Sequence, residues 1–282
     1  MTTAASPAQP TRASSVLGYT PLTRSGRPPR ISFARSLSSE STKLLTLPST
    51  WVLAAVALVL SAGAAALVAA TEARDGGAAI VDTAASTARV VGSVSTVGEL
   101  IVAILAVLLV TGEYASGQMR TTLASDPSRL RVLASKSIVA AAAAVVLSIV
   151  TALGALAAGA AVFASRGVEA TIGVELAQTV GGTTLFWVFL AVVCVMIATI
   201  VRNAAAGISL VFALLFVVPV AFAFIGDGSA TSYLLPYADQ IMGKLVAGVE
   251  PMADLGRDIA VLAGWLVLPT VGAIALLTRR DV

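Results

Sequence analysis

Six apolar runs, each near twenty residues long and almost free of charge, decide what this chain can fold into. The hydrocarbon core of a bilayer is about 30 Å thick, and an α-helix crosses it in about 20 residues. The runs lie at about 51–70, 95–112, 137–164, 178–201, 204–225 and 257–278. They are continuous rather than alternating, which predicts helices and not a barrel. Composition agrees. Of 282 residues, 57% are hydrophobic and 12% charged, too little charge to cover a soluble globule of this size.

What is missing narrows the chemistry. The chain has no histidine, which removes Ser-His catalysis, histidine metal sites and the zinc-protease motif. The single cysteine, Cys194, lies inside an apolar run and reads as a small core residue. Gly243-Lys244 is the nearest approach to a phosphate loop. Ala238 and Leu245 occupy the positions that would need glycine and Ser/Thr. No catalytic, cofactor or metal site is expected on this chain.

Residues 1–30 are rich in Pro, Ser, Thr and Arg and read as a disordered tail, either solvated or, with Arg35 just beyond it, touching anionic headgroups through Arg24, Arg27, Arg30 and Arg35. Over 31–47, Phe33, Ala34, Leu37, Leu44 and Leu45 share a helical face, with Arg35, Glu40 and Lys43 elsewhere. This spacing predicts a helix in the membrane interface, ended by Pro48. Residues 48–282 form the transmembrane domain. The fold class is therefore all-α and integral to the membrane, a six-helix bundle with an interfacial helix before it.

With six spans both termini share one side. Of the 18 Lys and Arg, thirteen fall on that side and five on the other. The positive-inside bias makes the termini cytoplasmic. The Arg-rich, Ala-rich composition suggests a bacterial plasma membrane.

The cytoplasmic segment 113–136 is unlike a plain connector. Glu113 closes the second run, Gly117 allows a bend, and Arg120, Thr121, Arg129 and Lys136 follow. Asp126-Pro127 reads as an N-cap with proline at the first helical position. Basic residues on those first turns are disfavoured by the helix dipole, so topology or a partner must account for them. The third run is dense in Ala and Gly, as close helix packing in lipid requires. Pro219 and Pro269 predict kinks in the last two runs. Ile241, Met242, Leu245, Val246 and Val249 predict a short amphipathic helix on the outer side.

Three motifs together carry a resemblance. Gly-Glu113-Tyr-Ala-Ser-Gly117-x-x-Arg120-Thr121-Thr-Leu, followed by Asp126-Pro127-Ser-Arg129 and Lys136, resembles the cytoplasmic loop of permease subunits of type-two ABC exporters. Ser39-Glu40-x-x-Lys43-Leu44 resembles that family's helix before the first span, and Thr278-Arg279-Arg280-Asp281 its terminus. Gln118 departs from the threonine common after the glycine. The resemblance implies a permease without ATPase activity, paired with a second permease as homodimer or heterodimer. A separate ABC ATPase subunit, carrying ATP and Mg, would dock on 113–136. Glu113, Gly117, Arg120, Thr121, Asp126, Pro127, Arg129 and Lys136 would form the coupling element, Glu40 and Lys43 would pair with it, and Arg202-Asn203 would be a second contact.

The transport path is less legible. Glu99, Gln178, Thr183 and Thr184, with Gly181-Gly182, either line a pathway or make interhelical hydrogen bonds. An ion-gradient-driven transporter, with Glu99 as its coupling group, and a passive membrane scaffold or immunity protein are the competing functions.

Overall fold

The computed structural model describes residues 32–76, 83–119, 128–225, 229–248 and 255–279. All regular structure among them is helical, and six helices are long and apolar enough to cross a membrane. The predicted integral-membrane, all-α bundle is therefore what forms.

The interfacial helix α1 spans Phe33–Thr46, with Ser32 as N-cap. Leu47 alone separates it from α2, Pro48–Gly76. Pro48 thus opens α2, where its missing N–H costs nothing. The predicted polar face of α1 is a partial misreading. Glu40 is buried at 2% exposure, whereas Phe33 and Leu45 are exposed.

The second span begins earlier than its apolar run. Helix α3, Thr83–Gly92, precedes a break at Ser93–Val94, and α4 continues over Ser95–Ala115. Ser86 and Thr87 lower the hydropathy of α3, yet both are buried. Thr87 hides its hydroxyl by donating to the Thr83 carbonyl, so small polar residues can sit in a packed helix.

Helix α5, Arg129–Ser165, carries the small-residue run. It packs mainly against α2 and against α6, Val174–Val201. A Cβ on Gly159 would lie 2.6 Å from Val90, so the predicted close approach is real. The start of α5 differs from expectation. Ser128 holds the N-cap position with ψ 86, outside the helical range, so the helix begins two residues after Pro127. Asp126 and Pro127, with Arg120 and Thr121, lie outside the described residues.

The fifth span comprises α7, Ala204–Phe212, a π-turn at Ala213–Val217, and α8, Val218–Ile225. Pro219 cannot donate to the preceding turn, and the ladder widens immediately before it. A 3-10 turn at Ser229–Tyr233 leads to α9, Tyr237–Ala247, the predicted short helix. Its buried face is Ala238 and Ile241, while Leu245 points outward. Val249 lies outside the described residues. The last span is α10, Leu255–Arg279, with Pro269 inside it. The central helix is α6, whose Phe186, Trp187, Leu190, Val193, Cys194 and Ala198 are all fully buried.

Candidate functional site

Four ionisable side chains from three helices close into a ring at one end of the bundle. Lys43 of α1 donates to Glu40 Oε1 at 2.7 Å and to Glu113 Oε1 at 2.6 Å. Lys136 of α5 donates to Glu40 Oε2 at 2.7 Å and lies 2.8 Å from Glu113 Oε1. Two ammonium groups thus face two carboxylates, and the ring is neutral.

Local structure explains the placement. Glu40 and Lys43 are three apart on α1 and share a face. Glu113 sits in the last turn of α4, and Lys136 lies two turns into α5. The seryl hydroxyls of Ser36 and Ser135, 3.2 Å apart, hold α1 against α5 beside the ring.

The ring is largely dehydrated. Glu40, Glu113 and Lys136 are 2%, 5% and 1% exposed, and Lys43 is the member nearest solvent. Burial alone would lower the Lys43 pKa. The carboxylates of Glu113 and Glu40 that accept its hydrogen bonds outweigh burial, and the pKa lies above the ordinary lysine value. Such a cluster survives burial only because each charge has opposite neighbours; removing one leaves an uncompensated charge.

Next to the ring, a second set of contacts gathers the remaining helix ends. Tyr114 follows Glu113, and the Arg202 guanidinium lies 5.3 Å from its ring centroid. Arg202 also donates to the Leu276 carbonyl at 3.4 Å, and Arg129 donates to the Leu277 carbonyl. Two guanidinium groups thereby satisfy carbonyls in the last turns of α10, a favourable place for positive charge. Arg202 itself caps α6 with φ 58, and Asn203 caps α7 by accepting from the Ala206 N–H at 3.0 Å. Gly117, two residues past α4, has φ +72 with nothing near a would-be Cβ, so it serves backbone conformation and not close contact.

Of the residues singled out in the sequence, Glu40, Lys43, Glu113 and Lys136 thus meet directly, and Arg129 and Arg202 lie beside them. Glu113 and Lys136 are inside, so they act by holding helices rather than by offering surface. Tyr114 and the Ser36–Ser135 pair were not anticipated. An aromatic residue at a membrane helix end was the available signal for Tyr114.

The residues considered for a pathway lie elsewhere. Glu99 is on the first turns of α4, about 21 Å along the axis from Glu113. It is 8% exposed and accepts from the Ser95 hydroxyl at 2.9 Å. Thr184 shares a 2.7 Å hydrogen bond with Ser148 of α5, an interhelical tie. Gly181 and Gly182 receive α9: a Cβ on Gly182 would lie 2.9 Å from the Gly243 backbone. Gln178 and Thr183 are half-buried on the same stretch of α6. No cluster of metal-ligating side chains occurs among the described residues.

Comparison with known proteins identifies the family. No curated protein matches the chain. The pattern of the ABC-2 family transporter proteins matches residues 36–220, from the first turn of α1 into α8, and so includes the whole ion-pair ring. The chain is a multi-pass membrane protein and belongs to the ABC-2 family of transporter proteins, as a permease subunit.

Proposed function

We propose that this permease is the membrane subunit of an ATP-driven exporter, moved by a separate ABC ATPase that docks on segment 113–136. The family implies an ABC ATPase partner in general. The observation that carries the specific reading is the convergence of two of the motifs, the helix before the first span and the cytoplasmic loop: Glu40, Lys43, Glu113 and Lys136 share one neutral ring, and Arg129, on the same helix as Lys136, bonds the end of α10. A push delivered to the chain between Glu113 and Lys136 reaches α1, α4, α5 and α10 together, because buried charges resist separation.

Glu113, Gly117, Lys136 and Arg129 position the element in this reading. Arg120, Thr121, Asp126 and Pro127 contact the ATPase in this reading, and Asn203 supplies a second contact. The ATPase carries ATP and Mg, and its closed state favours one arrangement of the bundle over the other. A second permease, identical or not, completes the pathway. The termini and the docking segment face the cytoplasm of a bacterial cell, by the positive-inside bias.

The test is co-expression of the full chain with the ABC ATPases of the same genome. Arg120→Glu should abolish co-purification and ATP-dependent transport while thermal unfolding of the permease is unchanged. Normal ATPase binding in that variant, or transport that persists without any ATPase, would remove the reading.

A further inference from the structure

The end of the bundle opposite the ion-pair ring holds two carboxylates without a counter-charge. Glu99 of α4 is almost wholly buried, and among the described residues its hydrogen-bond donor is the Ser95 hydroxyl. The charged group that acts on it is another carboxylate, Asp239 in the first turn of α9. No lysine or arginine acts on either of them. Lys244 and Arg257 donate instead to the Tyr237 hydroxyl, at 3.5 and 3.1 Å, Arg257 also pairs with Asp258, and Arg89 pairs with Glu72. The other buried ionisable side chains, Glu40, Glu113, Lys136 and Asp258, each have an opposite charge in contact.

The surroundings repeat this imbalance. The first turn of a helix favours negative charge, yet burial pushes the Asp239 carboxyl above the ordinary carboxylate range. The Trp187 ring is seated on Gly98, the residue before Glu99, where a Cβ would run into it. Its indole N–H is fully buried and has no acceptor, which costs free energy. An unanswered donor thus lies one residue from an unpaired carboxylate.

Asp239 belongs to a helix laid across this end. α9 packs on α6, where Gly182 meets the Gly243 backbone and Gly181 meets Val246. On another side the segment is tied to α10: the Trp265 indole N–H donates to the Tyr233 carbonyl at 3.0 Å, and Arg257 to the Tyr237 hydroxyl. Toward α4 there is no such tie among the described residues, and a like charge faces Glu99 instead.

We propose that Glu99 and Asp239 form a proton-binding pair that sets how firmly α9 seats on the bundle. Two interacting carboxylates titrate as a unit. With a proton on the pair, one negative charge remains at most, and α9 closes toward α4 without repulsion. When that proton leaves to water, two like charges face each other and loosen α9. Seating raises the affinity for the proton, so seating is firm at low pH and is lost as pH rises through the seated-state value. A metal ion suits the place less well, since no three metal-ligating side chains gather among the described residues. The inference does not rest on the ATPase or on the direction of transport.

Hydrogen exchange of the full chain in detergent tests it, read as protection factors so that the intrinsic pH dependence of exchange cancels. Protection of α9 should fall about five-fold between about pH 5 and about pH 9, the upper end for a charge pair in reach of water. Protection around Glu113 and Lys136 should hold steady. Glu99→Gln and Asp239→Asn, each close in shape to the native residue, should keep α9 protected at high pH and abolish the dependence. Glu72→Gln, at a carboxylate paired with Arg89, should leave the dependence intact. Constant protection of α9 across this range in the unaltered chain would overturn the proposal, and that arm needs no variant to fold. A pH dependence that survives in both Glu99→Gln and Asp239→Asn would also overturn it. So would a dependence seen only when sodium replaces choline as the buffer cation, which would make a metal ion the ligand.

Discussion

Lys136 donates to Glu40 across 2.7 Å, joining a transmembrane helix to the helix that precedes the first span, 96 residues earlier. Both side chains are almost wholly buried. The bond therefore works as a brace, and its energy depends on what remains when one partner is lost.

Lys136→Met removes one positive charge and leaves Glu40 and Glu113 with Lys43 alone. The expected cost is about 3–5 kcal/mol, as for a buried pair broken on one side. The double variant Glu40→Met/Lys136→Met keeps the neutral Lys43–Glu113 pair and should recover much of that loss. Thermal unfolding in detergent, read as a double-mutant cycle, checks both. Additive losses would show that the ring is not a unit.

The raised pKa of Lys43 fixes a pH dependence. A lysine whose folded pKa lies above its unfolded value contributes stability that is full below the unfolded pKa and is lost as pH rises through the folded one. The unfolded value is near 10.5. Stability from Lys43 should thus be flat from neutral pH to that region and decline above it. Lys43→Met should lack this alkaline decline when unfolding is followed against pH.

Gly182→Ala should loosen the outer helix α9. The obstructing atoms at 2.9 Å belong to the Gly243 backbone, which cannot rotate away. Overpacking of this kind costs about 1–3 kcal/mol. Hydrogen exchange should rise in α9 and stay unchanged around Glu113 and Lys136.

Gly117→Ala should cost about 1 kcal/mol although there is open space for the methyl group, because φ +72 disfavours any Cβ. Gly117→Asn, better tolerated in the left-handed region, should cost less. Equal unfolding temperatures for the two would contradict the conformational explanation.

Ser148→Ala should cost about 0.6 kcal/mol, a typical interhelical hydrogen bond in a membrane. If the Ser148–Thr184 pair is only structural, substrate selectivity should be unchanged in a transport assay. A changed selectivity would return Thr184 to the pathway.

Much was legible from local pattern. The six spans, α1 and α9 follow from hydropathy and helical period, which are properties of neighbouring residues. The break at Ser93–Val94 was not legible, because buried Ser86 and Thr87 look polar when read one residue at a time. Glu40 shows the same limit more sharply. On a helical wheel it belongs with the polar residues of an interfacial helix, and its actual setting is the interior.

The sequence by itself determined the solvent of this protein, its number of spans and the segments that carry polar function, since burying twenty apolar residues in lipid needs no knowledge of the rest of the chain. Only the tertiary structure decided which charges neutralise which. Glu113 lies 70 residues from Lys43, and Glu40 lies 96 from Lys136. A charge may be buried only opposite its counter-charge, and that opposition exists only once α1, α4 and α5 have packed together.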